Sequence, residues 1–144
     1  MIGDLDWITR LRVAQQSEVD RLPEMMGDPS VGVRCEVARR ITSDLLSKMM
    51  QDSHWRVRRQ VAERVDPSSL PKMMHDESTA VRRQVAERIP ISYLPEMLED
   101  DGWSVRCRVA KRIDAKYLSS MILVETDPEV LWMLRERLNL KHTP

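Results

Sequence analysis

Aspartate and arginine recur in this chain at a fixed spacing that suits ion-pair or anion-binding chemistry. The aspartates stand 24 residues apart, and an arginine follows each one six residues later. The aspartates are Asp4, Asp28, Asp52, Asp76 and Asp100, and the arginines, called here the first arginine column, are Arg10, Arg34, Arg58, Arg82 and Arg106. A guanidinium group presents a planar set of donors, so a row of them can grip phosphates or the acidic side chains of a partner.

An internal role is the alternative for the same residues. If each guanidinium bonds the aspartate of its own or an adjacent repeat, the two columns form a structural ladder. Equal numbers of the two residue types in matching positions favour this interpretation. The predicted ladder consists of Asp28, Asp52, Asp76, Asp100, Arg34, Arg58, Arg82 and Arg106.

A second arginine column lies twelve residues after each aspartate. Its members are Arg40, Arg64, Arg88 and Arg112, and Gln16 stands there in the first repeat. At the C-terminal end of a helix such a cation complements the helix dipole. Together with the neighbouring Arg59 and Arg83, the column predicts a locally basic outer strip. That strip is either plain solvated surface or a surface that binds an acidic protein or a nucleic-acid backbone.

Tryptophan occupies the third position after the aspartate in alternate repeats, as Trp7, Trp55 and Trp103. Tryptophan is favoured at binding hot spots, which makes Trp55 and Trp103 candidate partner-binding residues. The same position also lies on the helix face that carries the inward residues. Partial packing in the core is therefore the alternative.

Motifs for catalysis and metal binding are absent from the sequence. There is no glycine-rich phosphate loop, no HExxH motif and no nucleophile elbow. The two cysteines and three histidines lack the spacing of a ligand set. We therefore expect no enzymatic activity, no cofactor and no metal site.

The columns imply the elements that must hold them. In the stretch DPSVGVRCEVARRI, Val33, Val37 and Ile41 recur every four residues, which predicts an amphipathic α-helix of about three turns. Asp28 and Pro29 are predicted as its N-cap and first residue. The stretches that follow, such as DPSSLPKMM, predict a second helix of one or two turns, of α or 3₁₀ type.

One such unit cannot bury its apolar stripe alone, so we expect the units to stack around a continuous core. Five repeats start at residues 4, 28, 52, 76 and 100, and a C-terminal capping helix is predicted at about 125–140. After Met121 the register slips by one residue, and no aspartate or alanine stands at the expected places. The predicted architecture is an all-α solenoid of 24-residue repeats, each a longer helix plus a short one, within one domain spanning 1–144.

The repeat resembles the leucine-rich repeat variant family. The shared pattern of Asp, Arg, Val-Ala and Leu-Pro-x-Met-Met reads DSHWRVRRQVAERVDPSSLPKMM in the third repeat, and the resemblance extends from about residue 4 to 123. It implies a right-handed superhelix of alternating α- and 3₁₀-helices, related to HEAT and armadillo repeats. It also brings an association with nitrogen fixation and a four-iron, four-sulfur cluster. Such a cluster needs four cysteine ligands and the chain has two, so we expect no metal cluster.

Composition bears on the kind of partner. Lys+Arg and Asp+Glu both number 23, so the formal net charge of zero gives no general attraction to nucleic acid or to an acidic membrane. No apolar run approaches 18 residues, and the N-terminus lacks the pattern of a secretory signal. Few cysteines suit a reducing cytoplasm, and the family resemblance implies a bacterial one. The predicted function is a protein–protein interaction module whose partner the sequence does not identify. Binding of nucleic acid or another polyanion, and an accessory role in nitrogen fixation or metal-cluster assembly, are the alternatives.

Overall fold

A computed structural model describes residues 5–140, and every regular element in that range is a helix. Asp4, the first position of the predicted array, lies outside the described residues. The α-helices are α1 (Trp7–Gln16), α2 (Val31–Arg40), α3 (Ser43–Leu46), α4 (Trp55–Arg64), α5 (Thr79–Arg88), α6 (Trp103–Arg112), α7 (Leu118–Val124) and α8 (Pro128–Arg137). Short 3₁₀ helices lie between them, at Val19–Met25, Ser47–Met49, Pro67–Met73, Ile91–Met97 and Ala115–Tyr117. The predicted alternation of a longer and a short helix is confirmed.

Each longer helix buries one stripe and ends where the next inward residue leaves helical geometry. In α2 the buried residues are Val33, Val37 and Ala38. Ile41 has φ −59° and ψ 155°, and its N–H closes the last helical bond to the Val37 carbonyl at 2.8 Å. Its side chain is fully buried, so the chain turns while the core continues. Full burial of such a side chain contributes roughly 1.5–3 kcal/mol.

Proline decides the type of the short helix. Pro23, Pro71 and Pro95 each lie inside a 3₁₀ helix of seven residues. Proline lacks the N–H that an α-helix needs and clashes with the preceding turn, so the tighter, shorter 3₁₀ form is favoured. Ser47 and Ser119 hold the same position in the second and fifth repeats, and there the short element contains α-helical turns, α3 and α7.

The repeat aspartates lie two residues before the N-cap, which corrects the predicted capping role. Ser30, not Asp28, is the N-cap residue of α2, and Pro29 precedes the helix. The Asp28 Oδ1 atom accepts the Ser30 N–H at 2.8 Å, which makes a local turn that leads into the helix. In α8, by contrast, Asp127 is the N-cap residue, with Pro128 first in the helix.

The chain divides into two compact units, Met1–Ser69 and Leu70–Pro144. In the first unit α1 packs on α2 and α2 on α4, and in the second α5 packs on α6 and α6 on α8. Helix α8 lies within the range predicted for the capping helix, and the single domain stays a prediction. Among residues 5–140, no helix combines the length and the apolar character that crossing a membrane requires.

Candidate interaction surface

The first arginine column joins successive repeats of the first unit through aspartate. Arg34 donates from Nε to Asp52 Oδ2 at 2.8 Å and from Nη2 to Asp52 Oδ1 at 3.2 Å. Its Nη1 donates to the carbonyl oxygen of Asp28, in its own repeat, at 2.7 Å. Arg10 makes the same bidentate contact with Asp28, at 2.8 and 3.3 Å. The hydrogen bond to Asp52 raises the pKa of Arg34.

The second unit repeats this geometry. Arg82 donates from Nε and Nη2 to the Asp100 carboxylate at 2.7 and 3.1 Å, and from Nη1 to the Asp76 carbonyl at 2.8 Å. Asp76 Oδ1 accepts the Ser78 N–H at 2.8 Å. Arg58, in the first unit, is 7% exposed and donates from Nη1 to the Asp52 carbonyl at 2.8 Å. These guanidinium groups are thus bonded within the protein.

Glu125 closes the ladder, a role that sequence reasoning missed. Arg106 donates to its two carboxylate oxygens at 2.8 and 2.9 Å. Glu125 Oε1 also accepts the Asp127 N–H at 2.9 Å, as Asp100 Oδ1 accepts the Gly102 N–H at 2.8 Å. The bond from Arg106 lowers the pKa of Glu125. The slipped register was the available signal, because an acid stands one residue after the expected place.

Three arginines of the second column, Arg40, Arg64 and Arg112, cap helices instead of forming an outer strip, which corrects the sequence prediction for them. Arg64 donates to the Ala38 and Ile41 carbonyls at 2.6 and 2.9 Å, and Arg112 donates to those of Ala86 and Ile89 at 2.7 and 2.8 Å. Arg40 bonds the equivalent carbonyls of Ala14 and Ser17, and Arg137 those of Ala110 and Ile113. Each set lies at the C-terminal end of a preceding helix, where carbonyls lack helical partners. Burial lowers the pKa of Arg112.

Other members of the predicted basic strip differ in exposure. Arg59 is exposed, whereas Arg83 and Arg88 are half-buried. Each unit also has an arginine that is paired with an acid: Arg39 pairs with Glu36 at 2.5 Å in the first unit, and Arg108 pairs with Glu87 at 2.6 Å in the second. Pairing of this kind neutralises part of the positive charge that a polyanion would need.

The tryptophans of the repeat column differ in environment. Trp55 is half-buried, with the His54 ring stacked 6.0 Å away and the Arg56 guanidinium carbon 5.4 Å from its ring centroid. Trp103, the first residue of α6, is 50% exposed, and Trp7, the first residue of α1, is 54% exposed. Packing in the core therefore describes Trp55 better than the other two.

Two neighbouring cavities lie beside the ladder in the second unit. One, of about 580 Å³, is lined by residues that include Leu98, Arg106, Met121 and Val124. The other, of about 470 Å³, is lined by residues that include Met74, His75, Arg82 and Met97. Glu99, Asp100 and Asp101 line both. The two cavities together are called here the ladder groove.

No metal-binding arrangement is seen in the part of the chain that the structure describes. Residues 5–140 contain no group of three or more His, Cys, Asp or Glu side chains able to hold an ion. Cys35 and Cys107 are half-buried free thiols. Burial raises the pKa of the Cys35 thiol, which disfavours the reactive thiolate.

Comparison with known proteins returns one structural likeness. No protein-family model matches the chain, and no curated protein matches it. A solved structure described as a leucine-rich repeat variant with a novel repetitive protein structural motif superposes with a TM-score of 0.77 and is 30% identical in sequence. The match covers 94% of this chain and 68% of that one.

Proposed function

The chain belongs to the leucine-rich repeat variant family, and on that premise we propose that it is a non-enzymatic module that binds another protein. Repeat folds of this type present extended surfaces on a scaffold in which each unit supports its neighbours. The aspartate and arginine columns hold the repeats together through internal hydrogen bonds. A partner would therefore be bound by the exposed side chains that lie between these columns.

The observation that supports protein binding is the exposure of large apolar side chains on helices of the second unit. Trp103 is half exposed at the start of α6, and Leu123 and Val124, at the end of α7, are 84% and 78% exposed. Leu123 stands where earlier repeats have Gly27, Gln51, His75 and Glu99. A partner protein that covers these side chains would remove apolar surface from water, which favours association.

Binding of a polyanion has less support. Phosphate contacts need arginines whose donors face solvent, whereas Arg64 and Arg112 donate to helix carbonyls and Arg82 and Arg106 donate to carboxylates. A ligand phosphate would have to displace bonds that already hold the repeats together.

The proposal is tested by affinity capture from an extract of the organism that encodes the chain. The wild type, Trp103→Ala and the matched control Trp7→Ala are compared by quantitative mass spectrometry. Truncating a tryptophan hot spot costs about 2 kcal/mol, roughly 30-fold in affinity. We expect a protein that the wild type and Trp7→Ala retain equally and that Trp103→Ala loses. Nuclease-sensitive material as the sole captured species, or no differential capture, would contradict the proposal.

A further inference from the structure

We propose that the ladder groove of the second unit binds an extended, lysine- or arginine-containing segment of the partner protein, with an aliphatic side chain against Leu123 and Val124. This inference rests on the proposed function and gives the partner a chemical class. The charge of this segment is opposite to that of the acidic partner that the arginine columns suggest in the sequence.

The charges around the groove do not cancel. The larger cavity is lined by Glu99, Asp100, Asp101 and Glu125 against a single arginine, Arg106. Arg106 bonds Glu125, and Asp100 is paired with Arg82. Glu99 and Asp101 remain, both exposed and, within residues 5–140, without a salt bridge. They form the wall that the two cavities share.

The smaller cavity extends the same excess of negative charge. Its lining adds Glu96, which is exposed and forms no ion pair with the rest of the described chain. Its basic residues are Arg82, which is bonded to Asp100, and His75. A cation placed at the shared wall therefore meets three carboxylates, two of them common to both cavities. Attraction of this kind is stronger beside low-dielectric walls than in open water.

Apolar surface adds a second feature to recognise. Met97 and Met121 line the groove but are buried, so the exposed apolar surface beside it comes from the end of α7. Val124 lines the larger cavity and, like its neighbour Leu123, is largely exposed. A small cation alone would leave this surface in water. A peptide that carries an aliphatic side chain beside its basic residues covers both features.

The spacing of the repeat gives the segment a register. Packed helices lie roughly 8–10 Å apart, and an extended chain advances about 3.3 Å per residue. Every third residue of an extended segment therefore meets an equivalent position in the next repeat. We infer a basic residue at the shared wall beside Glu99 and Asp101, with the aliphatic residue about three positions away, over Leu123 and Val124, since Leu123 holds the position equivalent to Glu99 in the next repeat.

Fluorescence anisotropy with defined peptides tests this inference on the full chain. The probe is a labelled twelve-residue peptide with lysine at every third position and one terminal leucine, and the comparison peptide has glutamate in place of lysine. We expect the lysine peptide to bind, the glutamate peptide to fail, and affinity to fall as salt is raised from 50 to 300 mM. Glu99→Lys/Asp101→Lys should weaken binding by roughly tenfold or more, because two attractions become repulsions.

Two controls make the result specific. Glu18→Lys/Asp20→Lys changes the charge equally at exposed acids of the first unit and should bind like the wild type. Leu123→Ser/Val124→Ser should weaken binding of the leucine peptide several-fold. The same variant should bind a peptide with alanine in place of the leucine as the wild type does. A loss of folding would weaken both peptides and would not produce this coupling.

The inference is overturned if the lysine peptide does not bind, or if both double lysine variants weaken it equally. If the peptide does not bind but capture of a protein still depends on Trp103, the cationic segment is refuted and the protein-binding function stands. Failure of the capture experiment removes the function itself, because that experiment probes Trp103 and no residue of the groove.

Discussion

Removing the Arg34 side chain is expected to destabilise the fold. Arg34→Met eliminates two hydrogen bonds to the Asp52 carboxylate, at 2.8 and 3.2 Å, and one to the Asp28 carbonyl, at 2.7 Å. The Asp52 side chain is 9% exposed, so water cannot fully replace the guanidinium. Its carboxylate keeps the His54 N–H at 2.9 Å, which does not neutralise the charge.

The size of the effect follows from this burial. A hydrogen bond to a charged group contributes about 1.5–3 kcal/mol, and removing one partner of a buried ion pair costs about 3–5 kcal/mol. The side chains of the pair are 11% and 9% exposed, which places the loss at the lower end, about 3 kcal/mol. At about 2–4 °C per kcal/mol, the Tm should fall by roughly 6–12 °C.

Urea and thermal unfolding followed by circular dichroism measure this loss. Arg39→Met is the matched control, because Arg39 lies in the same helix and is also ion-paired, with Glu36, but is 58% exposed. An exposed pair contributes about 0–1 kcal/mol, so this variant should unfold nearly as the wild type does. Arg34→Met/Asp52→Asn should recover part of the loss, since no charge is then left unpaired. A Tm of Arg34→Met within 2 °C of the wild type, or an equal loss in Arg39→Met, would refute a structural role for the ladder.

Two further predictions concern the helix-capping arginine Arg112 and the ladder glutamate Glu125. Arg112→Leu should lower the free energy of unfolding by about 2 kcal/mol in urea titrations, because it leaves the Ala86 and Ile89 carbonyls without their donor; an unchanged urea midpoint would contradict this. Glu125→Gln should be less stable than the wild type at pH 6–8. The bond from Arg106 lowers the pKa of Glu125 below its ordinary value of 4.5, so that its stabilising contribution is fully present above that pH and is lost as the pH falls through the lowered pKa. The difference in stability between the two proteins should therefore shrink below about pH 4, and a difference that grows on acidification would count against the ion pair.

The helical repeat was predictable because its signals are local. Val33 and Val37 recur at helical spacing, and Pro71 and Pro95 forbid a regular α-helix in the segments that contain them. The boundary at Asp28 was predicted wrongly by two residues, since an aspartate can accept either a capping N–H or the N–H of a preceding turn. Both options use the same residue types, and the backbone path decides between them.

The candidate site was less predictable because exposure depends on neighbouring repeats. Arg112 and Arg108 lie four residues apart in one helix and are equally basic in sequence. Arg112 extends to carbonyls of the preceding repeat, whereas Arg108 pairs with Glu87 near the surface. Glu125 was missed because its longer side chain compensates for a one-residue slip, which the column spacing alone does not reveal.

The period, the order of longer and short helices and the identity of the inward stripe follow from the order of the amino acids, because they depend on residues a few positions apart. Which charges are available to a partner depends instead on contacts between repeats. Arginines such as Arg34 and Arg112 donate to Asp52 and to the Ala86 carbonyl, which lie 18 and 26 positions away in the sequence. Acids such as Glu99 and Asp101 stay exposed beside the ladder groove. Pairing in the folded state neutralises the arginines that line the ladder groove but not all of the carboxylates there. A chain of zero formal net charge therefore presents a local negative surface.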